Sequence, residues 1–204
     1  VQKLKDISYN IMPDRIEGGS LLCMVAATGG KVKLNNVIID NINPVLSKLE
    51  ESGCKIEKEK NSIYLEAPKK LKAVDIKTMP YPGFPTDMQS VFASMLTTAK
   101  GTSVIVENIF ENRYKFMAEL KKLGAKITTE GKTAVIKGVR RLSGAKVVST
   151  DLRGGAALVT AGLVARGKTE ITNIEYILRG YEGLDKKLQQ LGAKIIVEDD
   201  NAQK

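Results

Sequence analysis

The chain has 204 residues, 43% hydrophobic and 27% charged, which is enough apolar material for a sizeable core and excludes a wholly disordered chain. Its 32 basic and 23 acidic residues leave a net charge of +9, so an anionic ligand, substrate or polymer is the first expectation. With no histidine and two cysteines 31 positions apart, no zinc site, histidine base or disulfide framework is expected. No apolar run approaches the ~20 residues of a membrane span, no basic-then-apolar leader opens the sequence, and a soluble chain in a reducing cytoplasm is the expected setting.

In chain order, Leu4-Lys5-Asp6-Ile7-Ser8 predicts a strand, read as the last strand of a unit whose body is missing. Three similar units follow, over residues 14–78, 87–150 and 151–198, within what reads as one domain over residues 1–204. Each opens on an aspartate, Asp14, Asp87 or Asp151, a residue type that caps a helix by accepting its free first-turn N–H groups. The helix that follows is apolar nearly all round, as at Met88, Val91, Phe92, Met95 and Leu96, so it should be buried. A glycine comes 16, 14 and 16 residues after the aspartate, at Gly30, Gly101 and Gly167. A β-rich run follows, then Asn36-Val37, Asn108-Ile109 or Asn173-Ile174.

Next comes a second helix with one apolar side, as at Phe116, Met117, Leu120 and Leu123, or Tyr181, Leu184, Leu188 and Leu191, which should face water on the other. Gly53, Gly124 and Gly192, spaced 71 and 68 apart, each end such a helix, and Lys-Ile then begins a strand. Units one and two continue into a hairpin, at Ile63-Tyr64-Leu65 and Ala134-Val135-Ile136, and a further strand. Unit three has no such continuation after Lys194-Ile195-Ile196, so both ends read as cut from a longer polypeptide, with sheet edges left exposed. The expected fold is α+β (α/β), a pseudo-three-fold domain of βαβαββ-like units with helices inside and sheets outside.

If the repeated positions build a scaffold, departures from the repeat are the better candidates for chemistry. Leu71 to Asp87 spans 16 positions where Leu142 to Asp151 spans 9, and the extra stretch holds three of the six prolines. It is a stiff loop that fixes where Asp87 sits. On the residues alone, Asp87 reads either as a plain helix cap like Asp14 and Asp151 or as a carboxylate base. Arg113 and Arg179 lie between strand and second helix, where unit one offers only Asn41 or Ile42. Arg153 sits in the opening turn of a helix, where a cation opposes the dipole unless an anion binds there. The residues thus imply an anion-binding face with one candidate base.

Five motifs carry a resemblance. Pro13-Asp14-Arg15-Ile16-Glu17, Phe84-Pro85-Thr86-Asp87-Met88-Gln89, Ile109-Phe110-Glu111-Asn112-Arg113-Tyr114, Thr150-Asp151-Leu152-Arg153 and Arg179-Gly180-Tyr181-Glu182 occur in this order. Together they resemble the UDP-N-acetylglucosamine enolpyruvyl transferases, over residues 4–198 and only in the C-terminal domain of that two-domain enzyme. The repeat alone would equally suit the shikimate-pathway enolpyruvyl transferases or the RNA 3′-phosphate cyclases.

The resemblance implies transfer of the enolpyruvyl group of phosphoenolpyruvate to the 3-hydroxyl of UDP-N-acetylglucosamine with release of phosphate, the first committed step of peptidoglycan synthesis, with no metal and no cofactor. It implies that Asp87 takes the proton of the sugar hydroxyl and that the Ile109 backbone and the Phe110 ring hold the amino sugar. Arg153 and Arg179 would face the carboxylate and phosphate of phosphoenolpyruvate, and Arg113 would support the closed site. The reactive cysteine or aspartate of the family belongs to the missing N-terminal domain. Cys23 and Cys54 read as small core residues, so this chain alone is expected to be inactive. A non-catalytic module binding RNA or another polyanion is the competing reading; without tryptophan, with four phenylalanines and with dispersed lysines, nucleic acid is a poor partner.

Overall fold

A computed structural model describes residues 5–198. Helix α1 (Arg15–Thr28) begins where the Asp14 carboxylate accepts the N–H groups of Ile16 (2.7 Å) and Glu17 (3.2 Å). Helix α5 (Leu152–Val164) begins the same way, with Asp151 accepting from Arg153 (3.0 Å) and Gly154 (2.8 Å). Helix α3 (Thr86–Leu96) does not: its N-cap is Pro85, with no side-chain bond, and Asp87 is its second residue. The capping reading of Asp87 is therefore corrected, because the carboxylate sits two positions past the N-cap, too far along the helix to accept the first-turn N–H groups.

These three helices are the ones whose apolar residues run all round, and they form the centre, packed on one another. Leu22 and Cys23 of α1, Met88, Phe92 and Met95 of α3, and Ala156, Ala157 and Leu158 of α5 are all buried. Ser90 Oγ donates to the Arg153 carbonyl (2.9 Å) and Ser94 Oγ to the Ala157 carbonyl (2.7 Å). Serines four apart on α3 thus meet carbonyls four apart on α5 in the same order, so the two helices run in the same direction. A Cβ on Gly19, the fifth residue of α1, would lie 2.9 Å from Met88 Sδ, which places the start of α1 close against the start of α3. The N-termini of the central helices therefore gather at one end of the core, where their dipoles add a positive potential.

The second helices lie outside: α2 (Ile39–Glu51), α4 (Phe116–Lys122), and in the third unit a short α6 (Glu175–Leu178) followed by α7 (Leu184–Gln190). Each long one ends on the same pair of backbone bonds. Cys54 N bonds the Leu49 carbonyl and Gly53 N that of Glu50; Ala125 and Gly124 repeat this with Leu120 and Lys121, and Ala193 and Gly192 with Leu188 and Gln189. The three glycines adopt φ of 103°, 93° and 92°, which a residue with a Cβ resists. Leu191, expected on the apolar side of α7, is instead exposed.

The sheets form the outer layer. Strands β1 (Lys31–Asn35), β2 (Lys55–Glu59) and β3 (Ser62–Glu66) pair antiparallel in the order β1-β3-β2, with Ile63 opposite Leu34 and Leu65 opposite both Val32 and Ile56. In the second unit β4 (Ile76–Lys77) runs parallel to β5 (Thr102–Val106), which continues to β7 (Thr133–Lys137) and β6 (Lys126–Glu130). The third sheet holds only β8 (Lys146–Val148) and β9 (Glu170–Thr172), in parallel. The α/β architecture with central helices and outer sheets is thus as expected.

Two expected strands are absent. Residues 5–14 and 193–198 have no regular structure, where strands were predicted over residues 4–8, of which Leu4 lies outside the described residues, and over residues 194–196. The reason is pairing. β2 and β6 exist by bonding to β3 and β7, and β4 and β8 by bonding to β5 and β9. Among the described residues no such partner lies beside either segment, and an extended segment without a ladder leaves its backbone groups to water. Among the described residues no helix is long and apolar enough to cross a membrane.

Candidate functional site

The proline-rich connection delivers Asp87 to the end of the core where the central helices begin. There Asp87 Oδ1 accepts from Arg113 Nη2 at 2.6 Å and Oδ2 from Arg153 Nη2 at 3.1 Å. Arg113 arrives from the β5–α4 connection and Arg153 from the first turn of α5, so three segments converge on one carboxylate. The Asp87 side chain is 37% exposed. Ion pairs this open to solvent stabilise a fold by only about 1 kcal/mol or less, too little to explain two arginines held at positive helix ends.

Each arginine has its own support. The Arg113 guanidinium lies 4.9 Å from the centre of the Phe110 ring. That of Arg153 lies 5.6 Å from the Tyr181 ring centre and donates from Nη1 to the Tyr181 hydroxyl at 3.3 Å. Tyr181 is buried and its hydroxyl shares a 2.9 Å hydrogen bond with Ser20 Oγ of α1, which ties Arg153 to the first unit. Burial opposes the charge of Arg153, but Tyr181 and then Asp87 outweigh it and hold the guanidinium above its ordinary pKa. Such groups, fixed before any ligand arrives, are suited to binding carboxylate or phosphate.

Ile109 and Phe110 stand beside this cluster, both with exposed side chains, and their N–H groups donate to Glu107 Oε1 at 2.8 and 3.2 Å. Arg179 is not brought to Asp87. It ends α6, exposed, with its guanidinium 5.2 Å from the centre of the Tyr176 ring. Its neighbour Gly180 nonetheless presses on Leu152, the first residue of α5, where a Cβ would meet Leu152 Cδ1 at 2.7 Å. The backbone of Arg179 is thus near the site while its side chain is turned elsewhere.

Cys23 and Cys54 are both buried and unpaired. Burial pushes the Cys23 thiol well up, with Cys54 adding to it, and burial also raises Cys54 against an opposing hydrogen bond from Ser52. Neither is a nucleophile in this setting. Among the described residues no three His, Cys, Asp or Glu side chains gather to hold a metal ion. Two surface grooves, of about 530 and 490 Å³, are lined by residues other than Asp87, Arg113 and Arg153.

Sequence reasoning missed Glu107, Tyr181 and Ser20 as parts of this arrangement. Tyr181 was legible as an apolar position of the second helix and as part of the Arg179-Gly180-Tyr181-Glu182 motif, but nothing local reveals that its hydroxyl meets Arg153. Glu107 was hidden by a one-residue offset in the repeat. The residue directly after the strand is Asn36 in unit one, Asn173 in unit three and Glu107, not Asn108, in unit two. Asn36 and Asn173 are left-handed with φ of 58° and 56°, whereas in unit two the left-handed asparagine is Asn112.

A family profile described as EPSP synthase (3-phosphoshikimate 1-carboxyvinyltransferase) matches residues 1–188. The chain belongs to this family. Among its EPSP synthase family relatives, UDP-N-acetylglucosamine 1-carboxyvinyltransferase 1 of Caldanaerobacter subterraneus subsp. tengcongensis is 53% identical over 195 residues, covering 96% of this chain and 47% of the relative. The UDP-N-acetylglucosamine 1-carboxyvinyltransferase of Desulfofundulus thermocisternus is 54% identical over 189 residues, covering 93% and 78%. The resemblance read from the five motifs is therefore borne out. The chain spans about half the length of most curated relatives it matches, as with the 47% of the Caldanaerobacter protein.

Among solved structures, the enolpyruvyl transferase NikO from Streptomyces tendae superposes with a TM-score of 0.79 at 25% identity, covering 90% of this chain and 44% of that one. EPSP synthase from Acinetobacter baumannii gives 0.63 at 18% identity over 80% of this chain and 39% of that one, a likeness of fold alone.

Proposed function

We propose that this chain forms one wall of an enolpyruvyl-transfer site in a two-domain cytoplasmic enzyme. That enzyme moves the enolpyruvyl group of phosphoenolpyruvate to the 3-hydroxyl of UDP-N-acetylglucosamine and releases phosphate, opening peptidoglycan synthesis. The sugar oxygen bonds to the carbon that carried the phosphate, the bond from that carbon to the phosphate oxygen breaks, and the hydroxyl proton passes to a base. Asp87 is that base. Ile109 and Phe110 hold the amino sugar, Arg113 steadies Asp87, and Arg153 with Arg179 meets the carboxylate and phosphate of phosphoenolpyruvate.

The observation that carries this reading is the single Asp87 carboxylate shared by Arg113 and Arg153 where α3 and α5 begin. Each of its oxygens accepts one hydrogen bond from an arginine and keeps a further lone pair for a sugar hydroxyl. An anionic substrate competes for Arg153, and loosening that pair leaves Asp87 the stronger base for the hydroxyl beside it.

The test is phosphate release by the full-length polypeptide that carries this chain, given phosphoenolpyruvate and UDP-N-acetylglucosamine. We expect turnover by the full-length protein and none by this chain alone. Turnover by the isolated chain, or release only with shikimate 3-phosphate as acceptor, overturns the reading.

A further inference from the structure

Among the described residues Glu107 is the one carboxylate that is fully buried, at 1% exposure. Its Oε1 accepts from the Thr78 hydroxyl (2.8 Å) and the N–H groups of Ile109 (2.8 Å) and Phe110 (3.2 Å), and its Oε2 accepts from the Thr86 hydroxyl (2.8 Å). Among the described residues no lysine or arginine forms a salt bridge with it. Burying a carboxylate without a cation beside it is costly, and these four donors on its two oxygens offset part of that cost.

The scaffold does not require that expense. At the residue directly after the matching strand the other units place Asn36 and Asn173, exposed and left-handed. Only the unit that bears Asp87 buries a carboxylate there. Its partners also form a closed circuit. Thr86 is the first residue of α3 and adjoins Asp87, Asp87 pairs with Arg113, Arg113 stacks on Phe110, and the Phe110 N–H returns to Glu107.

We infer that Glu107 is a positioning residue whose carboxylate ties the start of α3 to the Ile109–Phe110 turn and so sets the separation between Asp87 and the groups that hold the sugar. This rests on the function proposed above. Arg153 and Arg179 are outside the circuit's clamp, so Glu107 governs the sugar side of the site and not the phosphoenolpyruvate side.

The test uses the full-length polypeptide with Glu107→Ala and the near-isosteric Glu107→Gln. For Glu107→Ala the KM for UDP-N-acetylglucosamine rises ~10-fold or more while the KM for phosphoenolpyruvate stays within about twofold, and Glu107→Gln falls between this variant and the natural protein. A purely structural role would lower kcat through the active fraction and leave both KM values unchanged, and that result overturns the inference. Amide exchange supplies a readout independent of the substrates. In Glu107→Ala, Ile109 and Phe110 exchange ~100-fold faster while the core amides of α3 and α5 are unaffected. Unchanged exchange at those two amides overturns the clamp, whereas an inactive natural full-length protein overturns the assigned substrates and leaves the exchange result to decide Glu107.

Discussion

The starts of α5 and α3 each carry an aspartate and use it in opposite ways. Asp151 turns inward to its own backbone, accepting from Arg153 and Gly154, whereas Asp87 turns outward to Arg113 and Arg153. The difference is two positions along the helix. At the N-cap a carboxylate is satisfied by free N–H groups, while at the second helical residue it points away from them and is available to other partners. Helix α3 thus gives up a side-chain cap, worth about 1 kcal/mol, in exchange for a presented carboxylate. A repeated scaffold can acquire chemistry by a shift this small, with the stiff loop before α3 setting the offset.

The largest expected effect tests the outward-facing member. Asp87→Asn in the full-length polypeptide should reduce turnover by ~100-fold or more if it is the base. Its urea unfolding free energy should change by less than about 1 kcal/mol, since the ion pairs are partly exposed. A loss of only a few-fold would make Asp87 an ion-pair residue and end the contrast. The inward-facing type should behave in reverse. Asp14→Ala should lower stability by about 1 kcal/mol in urea titration and leave turnover within a few-fold, because only two first-turn N–H groups lose their partner.

The smallest effect sharpens the contrast through pH. The Tyr114 hydroxyl donates to the carbonyls of Ile105 and Lys132, and burial, with the charge of Glu107 adding to it, pushes its pKa from 10.0 up to about 12. An acid held neutral in the fold contributes fully below its unfolded pKa, and that contribution is lost as pH rises through the folded value. Stability should therefore decline between pH 10 and about 12 partly through Tyr114. Tyr114→Phe should flatten that decline in urea midpoints measured across the window, and Glu107→Gln should move the tyrosine titration down. A steeper decline in Tyr114→Phe would refute the assignment.

Much of the fold was legible because it depends on local chemistry. The nearly all-round apolar character of residues 88–96 implied a central helix, and Gly53, Gly124 and Gly192 marked helix ends that share one bonding pattern. The strand over residues 194–196 was not legible as absent, since its sequence matches β2 and β6 and only a neighbouring strand would order it. At the site, Asp87, Arg113 and Arg153 stood out as departures from the repeat, and the structure joins them. Arg179 departed equally yet stacks on Tyr176, for nothing in sequence states which way an exposed guanidinium turns. Whether Asp87 caps its helix is decided by Pro85 taking the cap position and by the Thr86 hydroxyl reaching Glu107, a contact across 21 residues.

The bond from Ser90 to the carbonyl of Arg153 lies one helical turn from Asp87 on the same helix. Base and guanidinium are therefore bolted to a common rail, and α5 cannot slide along α3 without breaking it. Whatever rearrangement a ligand evokes at this face is left to side-chain swivels and to the segment around Arg179, while the backbone positions that carry Asp87 and Arg153 keep a fixed gauge.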